Sequence, residues 1–260
     1  MGETTRARLA AVAAPTLVGV AVLLAWQAGC RLWHIPPYLM PAPGDIGAAL
    51  VQNGWALLHA LRSTLLVTMI ALGLSAVLGV LVAFLLVQSR MIERSLMPYV
   101  IVMQVTPIVA VAPLIIILVK TTLPALVICA TLIAIFPIIS NTLQGLRSVD
   151  PGLAAFFRMH KATRVQTLLR LQVPSAVPMF MAGLRISSGL ALVGAVVAEF
   201  VAGTGGNSAG LAYEILQSGF QMDIPRMFAA LALITLAGLV LYGVMAGLQQ
   251  WVLRRWHEHG

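Results

Sequence analysis

Apolar residues in this chain arrive in long, nearly unbroken blocks, without the spacing of an amphipathic helix or the alternation of a half-buried strand. Six blocks can be drawn, at about 9–29, 63–87, 96–119, 124–143, 179–202 and 225–249. Each is near or above the ~20 residues needed to cross a hydrocarbon core about 30 Å thick. The pattern predicts an all-α, polytopic transmembrane helical bundle of about six spans, with residues 1–260 forming a single membrane domain.

The polar and helix-breaking residues subdivide it. Pro36, Pro37, Pro41 and Pro43 follow the first block and cannot continue a helix. Asp45 is expected to cap a short helix reaching about His59. The third block contains Pro98, Pro107 and Pro113, which predict a kinked helix in the interior, where neighbours satisfy the freed carbonyls. Small residues recur at four-residue spacing in Ala71, Ser75 and Gly79, and again in Gly243 and Gly247, as close helix packing in lipid requires.

The stretch 144–178, between the fourth and fifth blocks, is far longer than a reversal of direction needs. Asp150-Pro151 reads as an N-cap followed by proline at the first helical position. Leu153, Phe156 and Phe157 then form an apolar face, with Arg158 and Lys161 polar. A second helical run is expected from Thr163 to Val173, ending at Pro174. Two short helices outside the membrane, one with exposed aromatics, suit docking to another protein. The other physical reading is an amphipathic helix lying on the lipid surface.

Composition and charge agree with a membrane solvent. Hydrophobic residues make up 60% of the chain and charged residues only 9%, against about 25% charged in soluble domains. The net charge of +8 is not a nucleic-acid footprint, because the cations sit in short loops between apolar blocks. With the amino terminus inside, Arg6, Arg8, Arg90, Arg94, Arg147, Arg158, Lys161, Arg164, Arg170, Arg185, Arg254 and Arg255 are cytoplasmic. Arg31, Arg62, Lys120 and Arg226 are then outside. This positive-inside bias predicts that both termini are cytoplasmic. The first block is long for a signal peptide and reads as a retained helix. Cys30 and Cys129 form no disulfide framework, and the scattered histidines have no metal-ligand spacing.

Several segments resemble the permeases of binding-protein-dependent ABC importers. Leu171-Gln172-Val173-Pro174 matches the close of that family's cytoplasmic coupling loop, and Pro178 to Arg185 continues as family members do. Ala155-Phe156-Phe157 stands where the family has Glu-Ala-Ala, and Lys161 where it has Gly. The lost glycine predicts a turn without positive φ, or one that is shifted. Tyr38-Leu39-Met40-Pro41-Ala42-Pro43, Asn141 to Pro151, and Ala198-Glu199-Phe200 with Gly210-Leu211-Ala212-Tyr213 are similar to the branch serving nitrate, sulfonate, taurine and pyrimidine-type nutrients. At Leu118 to Thr122 this chain has a lysine-containing turn in place of that branch's Gly-rich one.

The resemblance implies a transporter subunit, not an enzyme, in the bacterial inner membrane. The chain carries no phosphate-cradling loop around either of its lysines, Lys120 and Lys161. It is therefore expected to bind no cofactor itself, with ATP and Mg on a partner ATPase. The implied partners are two ABC ATPase subunits, a second permease copy and a periplasmic substrate-binding protein. Ala155, Phe156, Phe157, Arg158, Lys161, Leu171, Val173 and Pro174 are the implied ATPase-coupling residues. Glu199, the one acid placed within a span, is a candidate for the translocation path or for a gate paired with a cation such as Arg62. Thr106, Asn141, Ser187 and Ser188 are further path candidates, although bonding between helices is the commoner role. The expected cargo is a sulfonate, nitrate or pyrimidine-like compound. An ion-gradient-driven transporter is the competing class, but it requires intramembrane acids or repeated broken helices. An intramembrane enzyme would need a base near Ser187 and Ser188.

Overall fold

The computed structural model describes residues 2–203, 205 and 209–257, and the side chains of 2–12, 15 and 255–257 lie outside the description. Arg6, Arg8 and Arg255, used above in the charge count, therefore lie outside the described side chains. Among the described residues every regular element is helical: α1 (Gly2–Leu32), α2 (Pro43–Gln52), α3 (Gly54–Val87), α4 (Arg90–Val105), α5 (Ile108–Val119), α6 (Thr122–Arg147), α7 (Pro151–Met159), α8 (Arg164–Thr167), α9 (Val173–Ala202), α10 (Leu211–Phe220) and α11 (Ile224–His257). A π-helical turn, Leu168–Gln172, joins α8 to α9.

Four helices are long and apolar enough to cross a membrane: α3, α6, the continuous rod Arg164–Ala202, and α11 as far as Arg254. The pair α4 and α5 makes a fifth if it is taken as one broken span. The two halves meet at 96°. The cause is local. Pro107 has no N–H to donate, and the residue before a proline is driven out of helical conformation. Thr106 accordingly sits at φ −65°, ψ 122°. Pro98 and Pro113 remain inside their helices. The prolines suggest an interior helix, which only the second half meets in part: on α4 Tyr99, Ile101, Val102 and Val105 are all exposed, whereas α5 buries Ala112 and packs against α6 and α9.

Two local expectations are corrected. Asp45 is not the N-cap of α2; that position is Ala42, and Asp45 reaches back three residues to accept its N–H at 3.0 Å. The short helix ends at Gln52, and His59 belongs to α3. The second helix of the long loop does not end at Pro174. It runs through the π turn into α9 as a 39-residue rod. In a regular helix Pro174 would leave a carbonyl unpaired and crowd it. The wide turn, closed by Val173 N–H to the Leu168 carbonyl, places the irregularity just ahead of the proline.

The chain divides into two compact units. One comprises the residues up to Leu58 with Glu214–Leu233. There, Trp26 and Phe228 lie 6.2 Å apart, and Gly44 N–H donates to Gln27 at 2.8 Å. Cys30 is buried, with its thiol towards the Met40 carbonyl. The other unit comprises His59–Tyr213 with the chain from Ile234 onwards. Its principal pair is α6 and α9, and its buried positions are mostly small: Ala71, Ala112, Ala130, Ala134, Ala191, Ala195 and Ala198. Small residues let helix backbones approach, which is where packing energy comes from when the surrounding solvent is as apolar as leucine. Gly145, Gly183 and Gly194 mark the closest approaches. A Cβ at Gly194 would lie 2.8 Å from the Ala130 Cα, and one at Gly183 2.8 Å from the Pro137 carbonyl oxygen.

Candidate functional site

The long loop between α6 and α9 contributes α7, a nine-residue helix whose two ends are built from its own sequence. At the start, the Asp150 carboxylate accepts the Leu153 N–H at 2.9 Å, as an N-cap should. At the end, Ala162 N–H bonds to the Phe157 carbonyl and Lys161 N–H to the Arg158 carbonyl, both at 3.0 Å. That bond pair needs a left-handed residue between the helix end and its exit, a place usually taken by glycine. Lys161 fills it, at φ +52°. The expectation of a turn without positive φ is thus overturned: the left-handed conformation is kept, and a lysine carries it. Lys120 does the same at the end of α5, with φ +58°. Both lysines of the chain hold positions whose strain glycine would avoid.

Along α7, Leu153 and Phe156 are about half exposed, Ala155 and Phe157 are half-buried, and Arg158 and Lys161 are exposed. The Phe156 ring sits 4.2 Å from the His160 ring and 6.4 Å from Phe157. The result is a small aromatic knob on a helix fixed at both ends. Leu171 is buried in the π turn, while Val173 and Pro174 are half-buried. These three lie at the start of the rod, outside α7 itself.

A second polar assembly lies at the far end of α9. Glu199 is only 4% exposed. One carboxylate oxygen accepts the Thr64 hydroxyl of α3 at 3.0 Å and the Ala212 N–H at 3.2 Å. Thr64 in turn accepts the Leu211 N–H at 2.9 Å. The carboxylate and the hydroxyl together satisfy the first amides of α10, as caps do for a helix start. Gly210 lies directly against the carboxylate, and any Cβ there would overlap it. Arg62 is not a partner of Glu199; it is exposed, and the pairing suggested from sequence is replaced by these neutral donors.

The other path candidates separate by neighbour. Ser187, fully buried, donates to the Ala134 carbonyl across to α6 at 2.6 Å. Ser188 and Asn141 bond to their own helices, at Arg185 and Pro137. Thr106 is exposed at the α4–α5 break and donates to the Val102 carbonyl at 2.7 Å. These five residues are therefore not one cluster. Sequence reasoning missed two ion pairs. Arg147, closing α6, grips Glu93 of α4 with both terminal nitrogens, at 2.6 and 2.5 Å. Arg226 of α11 meets buried Glu214 of α10 at 2.6 Å. The Glu93–Arg147 partners are 54 residues apart in sequence, so no local spacing signals them.

Residues 75–258 match the family of binding-protein-dependent transport system inner membrane components. The chain is 31% identical to the formylaminopyrimidine transport permease protein of Halalkalibacterium halodurans, over 94% of this chain and 96% of that protein. It is 36% identical to the riboflavin transport system permease protein of Chloroflexus aurantiacus, over 90% of this chain and 87% of that one. A chain from the inward-facing MetNI methionine ABC transporter shares the fold, with TM-score 0.68 and 19% identity, over 77% of this chain and 98% of that chain.

Proposed function

The chain belongs to the binding-protein-dependent ABC importer permeases, and from that premise we propose that it forms the translocation path for a small nitrogen heterocycle, driven through α7. Membership makes it a membrane-embedded transporter subunit, not an enzyme, and implies an ATPase and a binding protein as partners. The observation that carries the drive mechanism is α7 itself: capped at both ends, presenting Phe156, and following α6 and preceding the rod of α8 and α9 in the chain.

On this reading Ala155, Phe156, Phe157, Arg158 and Lys161 meet a groove of the ATPase, while Leu171, Val173 and Pro174 anchor the rod that receives the motion. A rigid helix is required because a rocking movement passes only through parts that do not bend. Two ATPases and a second copy of this chain complete the assembly. ATP and Mg act on the ATPase. Six spans follow if α1 and the broken α4–α5 pair each cross once, in addition to the four long helices. The positive-inside count then keeps both termini cytoplasmic.

For cargo, the two heterocycle permeases named above favour a pyrimidine-like compound over a sulfonate or nitrate. Glu199 is the gate candidate, acting as a latch. Its carboxylate ties α9, α3 and the start of α10 together, so any opening between those elements must break its bonds. Thr106 stands at the hinge between α4 and α5, whereas Asn141, Ser187 and Ser188 act in helix packing.

The test is co-purification in mild detergent followed by uptake. The Phe156→Asp, Phe157→Asp double variant should insert normally and lose the ATPase, because two charges would enter a desolvated contact. Retained ATPase would end the α7 assignment. For cargo, reconstituted transporter with its binding protein should accumulate labelled formylaminopyrimidine, and uptake of an alkanesulfonate alone would reverse the substrate reading.

A further inference from the structure

Where α3 ends at Val87, the chain turns into α4 and, with the end of α6 and with α7, encloses a cleft of about 980 Å³. Four arginines line it: Arg90 and Arg94 from α4, Arg147 from α6 and Arg158 from α7. The lining holds a single carboxylate, Glu93, which Arg147 engages with both terminal nitrogens. The one carboxylate is thus shared among four guanidinium groups, and the lining holds no second acid to balance Arg90, Arg94 and Arg158.

A positive-inside bias explains why arginines stand at these helix ends. It does not explain their convergence on one cavity from three separate elements. Nor does it favour Arg90 in the first turn of α4, where the helix dipole repels a cation. Like charges gathered at such a place are unfavourable unless an anion joins them. Apolar Val87 and Leu146 share the wall with the arginines, and Leu85 and Met91, close in sequence to Val87 and Arg90, are exposed. The cleft therefore combines charged and apolar residues in its wall, at the terminus of membrane-crossing helices.

We propose that this cleft binds a phosphate-bearing anion, and that its source is the headgroup of an anionic phospholipid. Guanidinium groups match phosphate oxygens in paired hydrogen bonds. Basic pockets between helices at the cytoplasmic end of a bundle take such headgroups. The acyl chains would run along Leu85 and its neighbours on α3. A headgroup held by Arg158 on one side and by Arg90 and Arg94 on the other braces α7 against the bundle, so lipid composition sets how firmly α7 is held.

The test uses the full chain purified with its transporter partners. Native mass spectrometry after graded delipidation should show phosphatidylglycerol retained after phosphatidylcholine is lost, a comparison that needs no variant. Replacing Arg90, Arg94 and Arg158 with glutamine should weaken that retention about a hundredfold, at roughly a factor of five per cation. Lys120→Gln, remote from the cleft, should leave it unchanged. Equal retention of the two lipids by the unaltered protein overturns the proposal. Displacement of phosphatidylglycerol by millimolar inorganic phosphate overturns the lipid source and assigns the cleft to a free anion. Loss of the ATPase from the triple variant with lipid retention intact overturns the proposal in favour of an acidic protein surface.

Discussion

The seam between α6 and α9 and the outer face of α11 carry the same kind of sequence and reach opposite outcomes. Both are helices of apolar residues punctuated by glycine. At the seam, Gly145 and Gly194 let backbones close until a Cβ would stand 2.8 Å from a neighbour's Cα. On α11, a Cβ at Gly243 or Gly247 would meet nothing within 4 Å, and Leu236, Leu239, Val240 and Val244 are exposed. In water such a face would be driven inward. In lipid there is no such drive, because acyl chains solvate leucine as well as another helix does. Small-residue spacing is permission for contact, and whether contact follows depends on what the fold brings opposite.

The sharpest way to break this comparison is to fill the glycines. Gly194→Leu should cost about 3 kcal/mol or more, since the obstruction is backbone that cannot rotate away. Thermal unfolding in detergent, with insertion scored separately, measures it. Normal stability would mean that the seam is looser than its geometry shows.

Next in size is the Glu199 latch, which is polar where the seam is apolar. Glu199→Ala should cost about 2 kcal/mol by stranding the Ala212 N–H in a buried place, while the Thr64 hydroxyl falls back on the Ala60 carbonyl. Glu199→Gln keeps an acceptor and should recover part of the loss. Hydrogen exchange at Leu211 and Ala212 reports whether the start of α10 has come loose.

Lys161→Gly should work in the other direction, stabilising the end of α7 by about 1 kcal/mol because the left-handed position loses its steric cost. Slower exchange of the Ala162 amide would register the gain; no change would show that the lysine is held by other contacts. The smallest effect is expected on the open face of α11. Gly247→Leu should alter the stability of the isolated chain by less than about 0.5 kcal/mol. If the same substitution disrupts the assembled transporter, a protein surface covers that face in the complex. If assembly is unaffected, lipid does.

Much of the local architecture was readable because its causes are local. Asp150 and Pro151 announce a helix start, and the structure begins α7 there. Pro107 breaks the third apolar block since its missing N–H acts within one turn. Ala71, Ser75 and Gly79 face inward on α3, with Gly79 against Ile138. The errors were also physical. Pro174 reads as a helix end in the sequence, but a π turn absorbs it. The missing glycine at Lys161 points to a turn without positive φ or a shifted one, yet the cost of about 1–2 kcal/mol is one that two lysine helix ends here sustain. Among the site candidates, Glu199 was recognisable as an acid in an apolar run, but its partners were not.

From sequence alone came the solvent, the all-helical class, the long loop between α6 and α9, and the family, because these depend on composition, on runs of one residue type and on short motifs. The pairing of Glu93 with Arg147, the meeting of Glu199 with Thr64 and the start of α10, the gathering of arginines from α4, α6 and α7 around one cleft, and the contrast between Gly194 and Gly247 were decided only by tertiary structure. Each depends on which residue stands opposite another across a distance in space. One helix's sequence holds no record of its neighbour, and in lipid hydrophobicity does not choose between neighbours.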